Sequence, residues 1–283
     1  MYIHKSFILF LLGLIVFSAV FSANTDTNTD TDTDTDVESD NERSGLGRVR
    51  YFQATKDLRK CAFPQCGGYF LKMVNIGGQQ NDIYVSSIEG AKIDDGSLNE
   101  FILSGRLSNG PSFTRTLYIQ DTYRLLPLDS PSTLEIKRYF IYRNNVAYEL
   151  NTGRNYRVNY YVENYSNQIN NINEEWLDYK INGHSVIYGN VRNGILDIDR
   201  IFIQLPDPQY CPDFPVAQCS PGYIATYRVD NTRCILPTGC ARQGICTLSI
   251  PTCPNGYTLM SVNSKPNGCP KYYCDPSFLL IFT

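Results

Sequence analysis

The chain has 283 residues, 42% apolar and 19% charged, enough to build a sizeable core and more than one folded unit. A formal charge of −3 excludes the strongly basic surface of a nucleic-acid binder, and two histidines leave little material for metal or proton-transfer chemistry. Ten cysteines point to an oxidising compartment and a scaffold held partly by covalent staples.

At the N-terminus, His4 and Lys5 precede an apolar-to-small run from Phe7 to Phe21, with no acid until Asp26. That layout predicts a secretory signal peptide over 1–22, with Ser22 and Ala23 at the cleavage point. An uncleaved signal anchor holding the protein at the cell surface is the alternative. Later apolar runs, the terminal Phe278–Thr283 included, are too short to span a bilayer or to direct a lipid anchor. A secreted protein with no stable membrane insertion is expected.

Residues 23–50 form an acidic tract in which Thr and Asp alternate as far as Asp36. With no apolar surface to bury and strong self-repulsion, it reads as a disordered tether. No Gly between Asn24 and Glu42 supplies the sharp turn of a calcium loop, so a metal site is not expected there. Asn24–Glu42 holds eight acids and no base, which leaves 43–283 with 24 Lys and Arg against 20 Asp and Glu. The folded part is therefore mildly basic.

From 51 to 208 the apolar residues come in short runs such as Tyr69–Val74, Ile83–Val85, Phe101–Leu103, Leu117–Ile119, Tyr156–Tyr160, Val186–Tyr188 and Leu196–Ile198. Their size and their Tyr, Phe, Ile and Val content predict strands. Helical spacing shows only weakly, over 168–180. Asp95-Gly96, Asn109-Gly110, Asn182-Gly183 and Asn193-Gly194 are expected to make tight hairpin turns, because these dipeptides tolerate positive φ. The fold class expected is mainly β, an antiparallel sandwich or barrel. Ile102–Gly110 matches Val186–Gly194 at a constant offset, with Gly105 aligned on Gly189, and Tyr51-Phe52 aligns on Tyr139-Phe140. Two similar β-units, 51–127 and 139–206, are therefore expected to share one core.

Cys61 and Cys66 flank Pro64 and precede Gly67-Gly68, a spacing suited to a small disulfide ring rather than to a redox dithiol. The segment Arg59-Lys60-Cys61-Ala-Phe-Pro64-Gln-Cys66-Gly67-Gly68-Tyr69 resembles the opening of a secreted domain family known only as a domain of unknown function. The likeness runs, more thinly, to about Pro208. It implies a secreted β-rich domain with two similar halves and lends no catalytic residues. The family's second half often carries its own close cysteine pair; Asn144–Arg157 here has none.

Residues 209–283 hold two tandem four-cysteine modules, 211–240 and 246–274. Cys211-x7-Cys219-x2-Gly-Tyr-x10-Cys234-x5-Cys240 is followed by Cys246-x6-Cys253-x2-Gly-Tyr-x11-Cys269-x4-Cys274. Eight cysteines leave the pairing within this region open. The modules are similar in flavour to antistasin-like and follistatin-like repeats.

Little catalytic chemistry is legible. Loss of the signal leaves His184 alone, and its place after Asn182-Gly183 reads as an exposed hairpin residue rather than a general base. An even set of pairable cysteines leaves no thiol nucleophile. The carboxylate pairs are Asp94/Asp95 at a turn, Asp197/Asp199 on one strand, and Glu174/Glu175 beside Trp176, the only tryptophan. No metal or cofactor is expected, and no catalytic residue is assigned. Asn164-Tyr165-Ser166 is a glycosylation sequon in an Asn-rich loop. A non-enzymatic extracellular binding or matrix protein, meeting an extracellular protein or a glycan, is the reading this supports. The alternative is a protease inhibitor acting through disulfide-clamped loops, at Arg228–Arg233 and Thr258–Asn267. A glycan-acting enzyme ranks third.

Overall fold

The computed structural model describes residues 47–279 apart from 79–81, 91–92, 130–135, 209 and 216. The expected signal peptide and nearly all of the expected acidic tether lie outside the described residues. The described chain is mainly β, as expected, and its large sheet does not close into a barrel.

Strands β1 (Arg50–Lys56), β2 (Tyr69–Met73), β3 (Asp82–Val85), β4 (Ser87–Glu89), β5 (Phe101–Leu107) and β6 (Thr116–Leu125) form the first unit. The second comprises β7 (Arg138–Arg143), β8 (Val146–Glu149), β9 (Asn155–Arg157), β10 (Tyr160–Val162), β11 (Ser185–Arg192) and β12 (Ile195–Leu205). The first unit runs β3-β2-β1-β5-β6, with β4 added parallel to β6. The second runs β9-β8-β7-β11-β12, with β10 parallel to β12. The connectivity is the same, so the duplicated motif is a duplicated fold. β6 and β12 join the units antiparallel, pairing Tyr123 with Gln204 and Leu125 with Phe202.

The aligned glycines have one job. In β5 the register slips between Ser104 and Gly105, and in β11 between Tyr188 and Gly189. A Cβ on Gly105 would lie 2.3 Å from the Tyr118 carbonyl oxygen, and one on Gly189 would lie 2.1 Å from that of Asp197. Each bulge brings two backbones too close for any side chain.

Phe52, Leu71, Val85, Leu103 and Leu117 fill the first unit's core. Val74, Ile102 and Tyr123 meet Leu150, Val186 and Phe202 in a cluster built from equivalent positions of both units. The third core lies in the second unit, under two α-helices, where the described residues of the first unit carry only 3₁₀ turns. The helices are α1 (Tyr165–Gln168) and α2 (Glu174–Ile181). Asn173 caps α2 by accepting from the Trp176 N–H at 3.3 Å, and Trp176, Leu177 and Ile181 face inward.

The hairpin expectations divide. Asn193-Gly194 makes the tight turn between β11 and β12, with φ of 52° and 77°. Asn109-Gly110 lies in the longer β5–β6 connection. Asp95-Gly96 instead opens a 3₁₀ turn capped by Asp94, and Asn182-Gly183 joins α2 to β11. Both dipeptides follow or lead helical residues whose capping uses the same Asx chemistry as a hairpin. The tight β7–β8 turn is made by Asn144-Asn145, a pair that carries no glycine.

Each C-terminal module is a hairpin, β13 (Tyr223–Val229) with β14 (Ile235–Arg242), and β15 (Tyr257–Ser264) with β16 (Cys269–Pro276). The bonds are Cys211–Cys234 and Cys219–Cys240, then Cys246–Cys269 and Cys253–Cys274, so first joins third and second joins fourth in both. Cys61–Cys66 closes the small ring before β2, and no free cysteine remains among the described residues. The modules do not stand apart. Tyr257, Cys274 and Leu279 belong to the second unit's core, and the Tyr257 hydroxyl donates to the Pro127 carbonyl at 2.8 Å.

Candidate functional site

Where α2 ends, Asn182 and Gly183 turn the chain and place His184 over the helix's last residues. The His184 N–H donates to the Lys180 carbonyl at 3.2 Å, and the Gln204 N–H donates to the His184 carbonyl at 3.2 Å. The imidazole stacks on Tyr179, with centroids 4.2 Å apart and planes 21° from parallel. Beside this pair lies a cleft of about 540 Å³, whose polar lining includes Arg143, Asn182, His184 and Gln204. Tyr210, 79% exposed, stands at its edge. A more open depression that shares Arg143, Tyr179, Asn182 and His184 with this cleft reaches Arg228, Asp230 and Asn231 of the first module.

The cleft floor is a buried ionic network. Asp207 accepts from the Trp176 indole N–H at 2.9 Å and lies 2.5 Å from the Lys180 ammonium. Arg233 donates to the Asp207 carbonyl at 2.7 Å and the Leu279 carbonyl at 2.8 Å, and its guanidinium pairs with the Asp275 carboxylate. Lys180, Asp207 and Arg233 are all buried. Two cations face two carboxylates, so the charges balance, and every group has directed partners. The network joins α2, the segment after β12 and both modules. Burial holds the Asp275 carboxyl above its ordinary range despite Arg233. Burial, then the positive charges of Lys180 and Arg143, push the His184 imidazole below its ordinary value, which keeps it neutral at pH 7.

The structure disperses most of the candidate residues. His184 is half-buried against Tyr179, not an exposed hairpin residue, because the turn before it ends a helix. Trp176 is buried and turned away from Glu174 and Glu175, which sit exposed on the first turn of α2. Asp94 caps the 3₁₀ turn, while Asp95 meets Lys56 at 3.0 Å and the Tyr69 hydroxyl at 2.9 Å. Asp199 pairs with Lys137 at 2.5 Å, and Asp197 is exposed on β12. Asn164 is exposed at the start of α1, ahead of fully buried Tyr165. Among the described residues, no three His, Cys, Asp or Glu side chains gather to hold a metal ion.

The proposed reactive loops are not free. In 228–233, Asp230 accepts from the Thr232 and Cys234 N–H groups, its carbonyl accepts from Asn173, and Arg233 is buried. In the second module, β15 pairs with β16 out to Ser264, and the Asn267 carbonyl beyond it accepts from the Gly244 N–H at 2.9 Å. Both segments are hairpins turned onto neighbouring structure. Arg143, Tyr179, Gln204 and Asp207 were missed as site residues, since no local pattern brings the end of β7 beside the end of β12. The Asn144 N–H donation to the Asn182 carboxamide, at 3.3 Å, ties the β7–β8 turn to the end of α2, and the Gln204 N–H donation to the His184 carbonyl brings in the end of β12.

A domain of unknown function, DUF6748, matches residues 50–100. An uncharacterized protein of Dictyostelium discoideum is 28% identical over 255 residues, which cover 81% of this chain and 88% of that protein. No solved structure matches the chain.

Proposed function

We propose that the chain is a non-catalytic protein of the extracellular space that binds a glycan in the cleft beside Tyr179 and His184. Five disulfides support the compartment, and no helix among the described residues is long and apolar enough to cross a membrane. The observation that carries the ligand class is the stacked Tyr179–His184 pair beside the Asn182 and Gln204 amides and the Arg143 guanidinium. Flat rings flanked by planar hydrogen-bonding groups suit a sugar's apolar face and ring of hydroxyls. A hydrolytic site needs two available carboxylates across one bond. Here Asp207 is committed to Lys180, Trp176 and Arg233, and Asp178 accepts from the Tyr161 hydroxyl. Sugar on Asn164 and export by a cleaved signal belong to the same reading, as does the antistasin-like and follistatin-like flavour of the modules.

Retention of the disulfide-intact protein on immobilised neutral and uronate-bearing polysaccharides tests this. Tyr179→Ala and Arg143→Ala should each weaken retention by about tenfold or more. Equal retention of both variants would remove the cleft from the proposal, and release of reducing sugar would remove the non-catalytic reading.

A further inference from the structure

The stretch between the first two cysteines of the second module, Cys246-Thr-Leu-Ser-Ile-Pro-Thr-Cys253, belongs to no strand or helix. It is also the most exposed apolar segment described. Leu248 is 97% exposed and Ile250 66%, with Ile245 fully exposed just before Cys246. Among the described residues, no backbone hydrogen bond joins Thr247–Cys253 to the rest of the protein. An apolar segment in no regular element, with backbone groups unpaired within the protein, is a chain that a partner can take up as an added strand.

Its ends are held. Cys246 is bonded to Cys269 and Cys253 to Cys274, so both anchors sit on one strand, β16. Along a strand, positions 269 and 274 lie about 17 Å apart. The eight residues of the strap can reach about 24 Å when extended. Positions 269 and 274 are an odd number of residues apart, so the two disulfides leave opposite faces of β16 and the strap passes around the strand between them, with Leu248 exposed. Pro251 narrows the backbone further by fixing its own φ. From Gly244 to Ser264 there is no charged residue, so a complementary surface must be apolar rather than ionic.

We propose that the Cys246–Cys253 strap is a substrate-like inhibitory segment that enters the active-site cleft of a secreted endopeptidase with an apolar primary pocket, with Leu248 in that pocket. Endopeptidase clefts take an extended chain by pairing its peptide groups as an added strand and accepting alternate side chains in pockets. Leu248 and Ile250 are alternate residues and lie on one face of such a chain. Clamping both ends removes most of the ordering entropy of binding. It also keeps both halves attached to β16 if the bond after Leu248 is cut. The proposal rests on the extracellular reading but not on the glycan cleft, since no cleft-lining residue lies in the strap.

Full-length, disulfide-intact protein is assayed against chymotrypsin and subtilisin, which favour large apolar residues, with trypsin as the contrast. The expected result is stoichiometric, reversible inhibition of the first two and none of trypsin. Leu248→Asp should weaken inhibition by about 100-fold, and Leu248→Arg should transfer it to trypsin. Leu248 is solvated, so both variants should keep the native Trp176 fluorescence. They should also keep polysaccharide retention, which separates failure here from failure of the cleft. Three outcomes would overturn the proposal. One is no inhibition of either apolar-pocket enzyme at about 10 μM. Another is cleavage after Leu248 as fast as in a linear peptide. The third is inhibition unchanged by Leu248→Asp.

Discussion

Asn75 and Asn151 hold equivalent places in the two β-units, and each carboxamide closes on the backbone of the other unit. Asn75 donates to the Tyr139 carbonyl at 2.7 Å and the Leu150 carbonyl at 3.0 Å, and accepts from the Tyr139 N–H at 2.8 Å. Asn151 donates to the Tyr51 carbonyl at 2.8 Å and the Val74 carbonyl at 3.0 Å, and accepts from the Tyr51 N–H at 3.0 Å. Both residues sit at φ of 63°. Each side chain acts as a short piece of strand across the internal two-fold.

Replacing either asparagine with glycine separates its two roles, because glycine keeps the positive φ and loses the carboxamide. Asn75→Gly and Asn151→Gly should each destabilise the protein by about 1–3 kcal/mol in urea unfolding, by similar amounts. A cost near zero at one site and not the other would show that the two contacts are not equivalent.

Gly105→Ala and Gly189→Ala test the bulges. The new methyl would meet a backbone carbonyl that belongs to the neighbouring strand and has no rotamer to yield. Each should cost at least about 1–3 kcal/mol, comparable to overpacking a core. Gly153→Ala is the control, since no atom lies within 4 Å of a Cβ there and only its positive φ resists the change. It should cost less than either bulge variant in the same thermal melts.

Arg233 is the hub between the modules and the second β-unit. Arg233→Met leaves Asp275 buried without a cation and should destabilise by about 3–5 kcal/mol. Trp176, bonded to the same Asp207, should report the change in fluorescence. Adding Asp275→Leu removes the stranded charge and should recover much of the loss. A double variant as unstable as the single one would contradict this account of the network.

Two groups set the pH response. The Arg59 guanidinium holds the Asp57 carboxyl down to about 2. Ordinary aspartate titrates near about 3.9, so this contact stabilises the protein above that value. The contribution fades as pH falls towards 2. The Asp57 carboxylate also accepts from the Arg59 and Gly67 N–H groups, so its protonation should loosen the Cys61–Cys66 ring. His184 is depressed below its ordinary value of about 6.5. Its contribution is therefore present above about 6.5 and is lost as pH falls through the folded value. Carboxyl and imidazole chemical shifts followed from pH 8 to 2 should show both midpoints below those of model peptides, and ordinary midpoints would refute these assignments.

Much of the fold was legible because strands announce themselves locally. Runs such as Phe101–Leu103 and Val186–Tyr188 lie in β5 and β11, and the match of Gly105 with Gly189 marked the repeat, while the bulge each glycine serves is visible only in the paired strands. The turns were less legible. Asx-Gly dipeptides serve helix ends as well as hairpins, so Asp95-Gly96 and Asn182-Gly183 misled, and Asn144-Asn145 turned the chain without a glycine. The cleft was not legible at all. Arg143, Tyr179, His184 and Gln204 come from separate elements and meet only because α2 folds across the second unit.

What the sequence determined by itself was the local grammar: strand-sized apolar runs, a glycine repeated at one place in each half, and cysteines spaced twice in one pattern. Those signals reside in neighbouring residues, whose sterics and hydrogen bonding act over a few bonds. Tertiary structure alone decided that first joins third and second joins fourth in each module. It also buried Arg233 between two carboxylates and left Leu248 standing free on its strap. These depend on which distant surfaces exclude water from one another, and that is settled only when the whole chain packs.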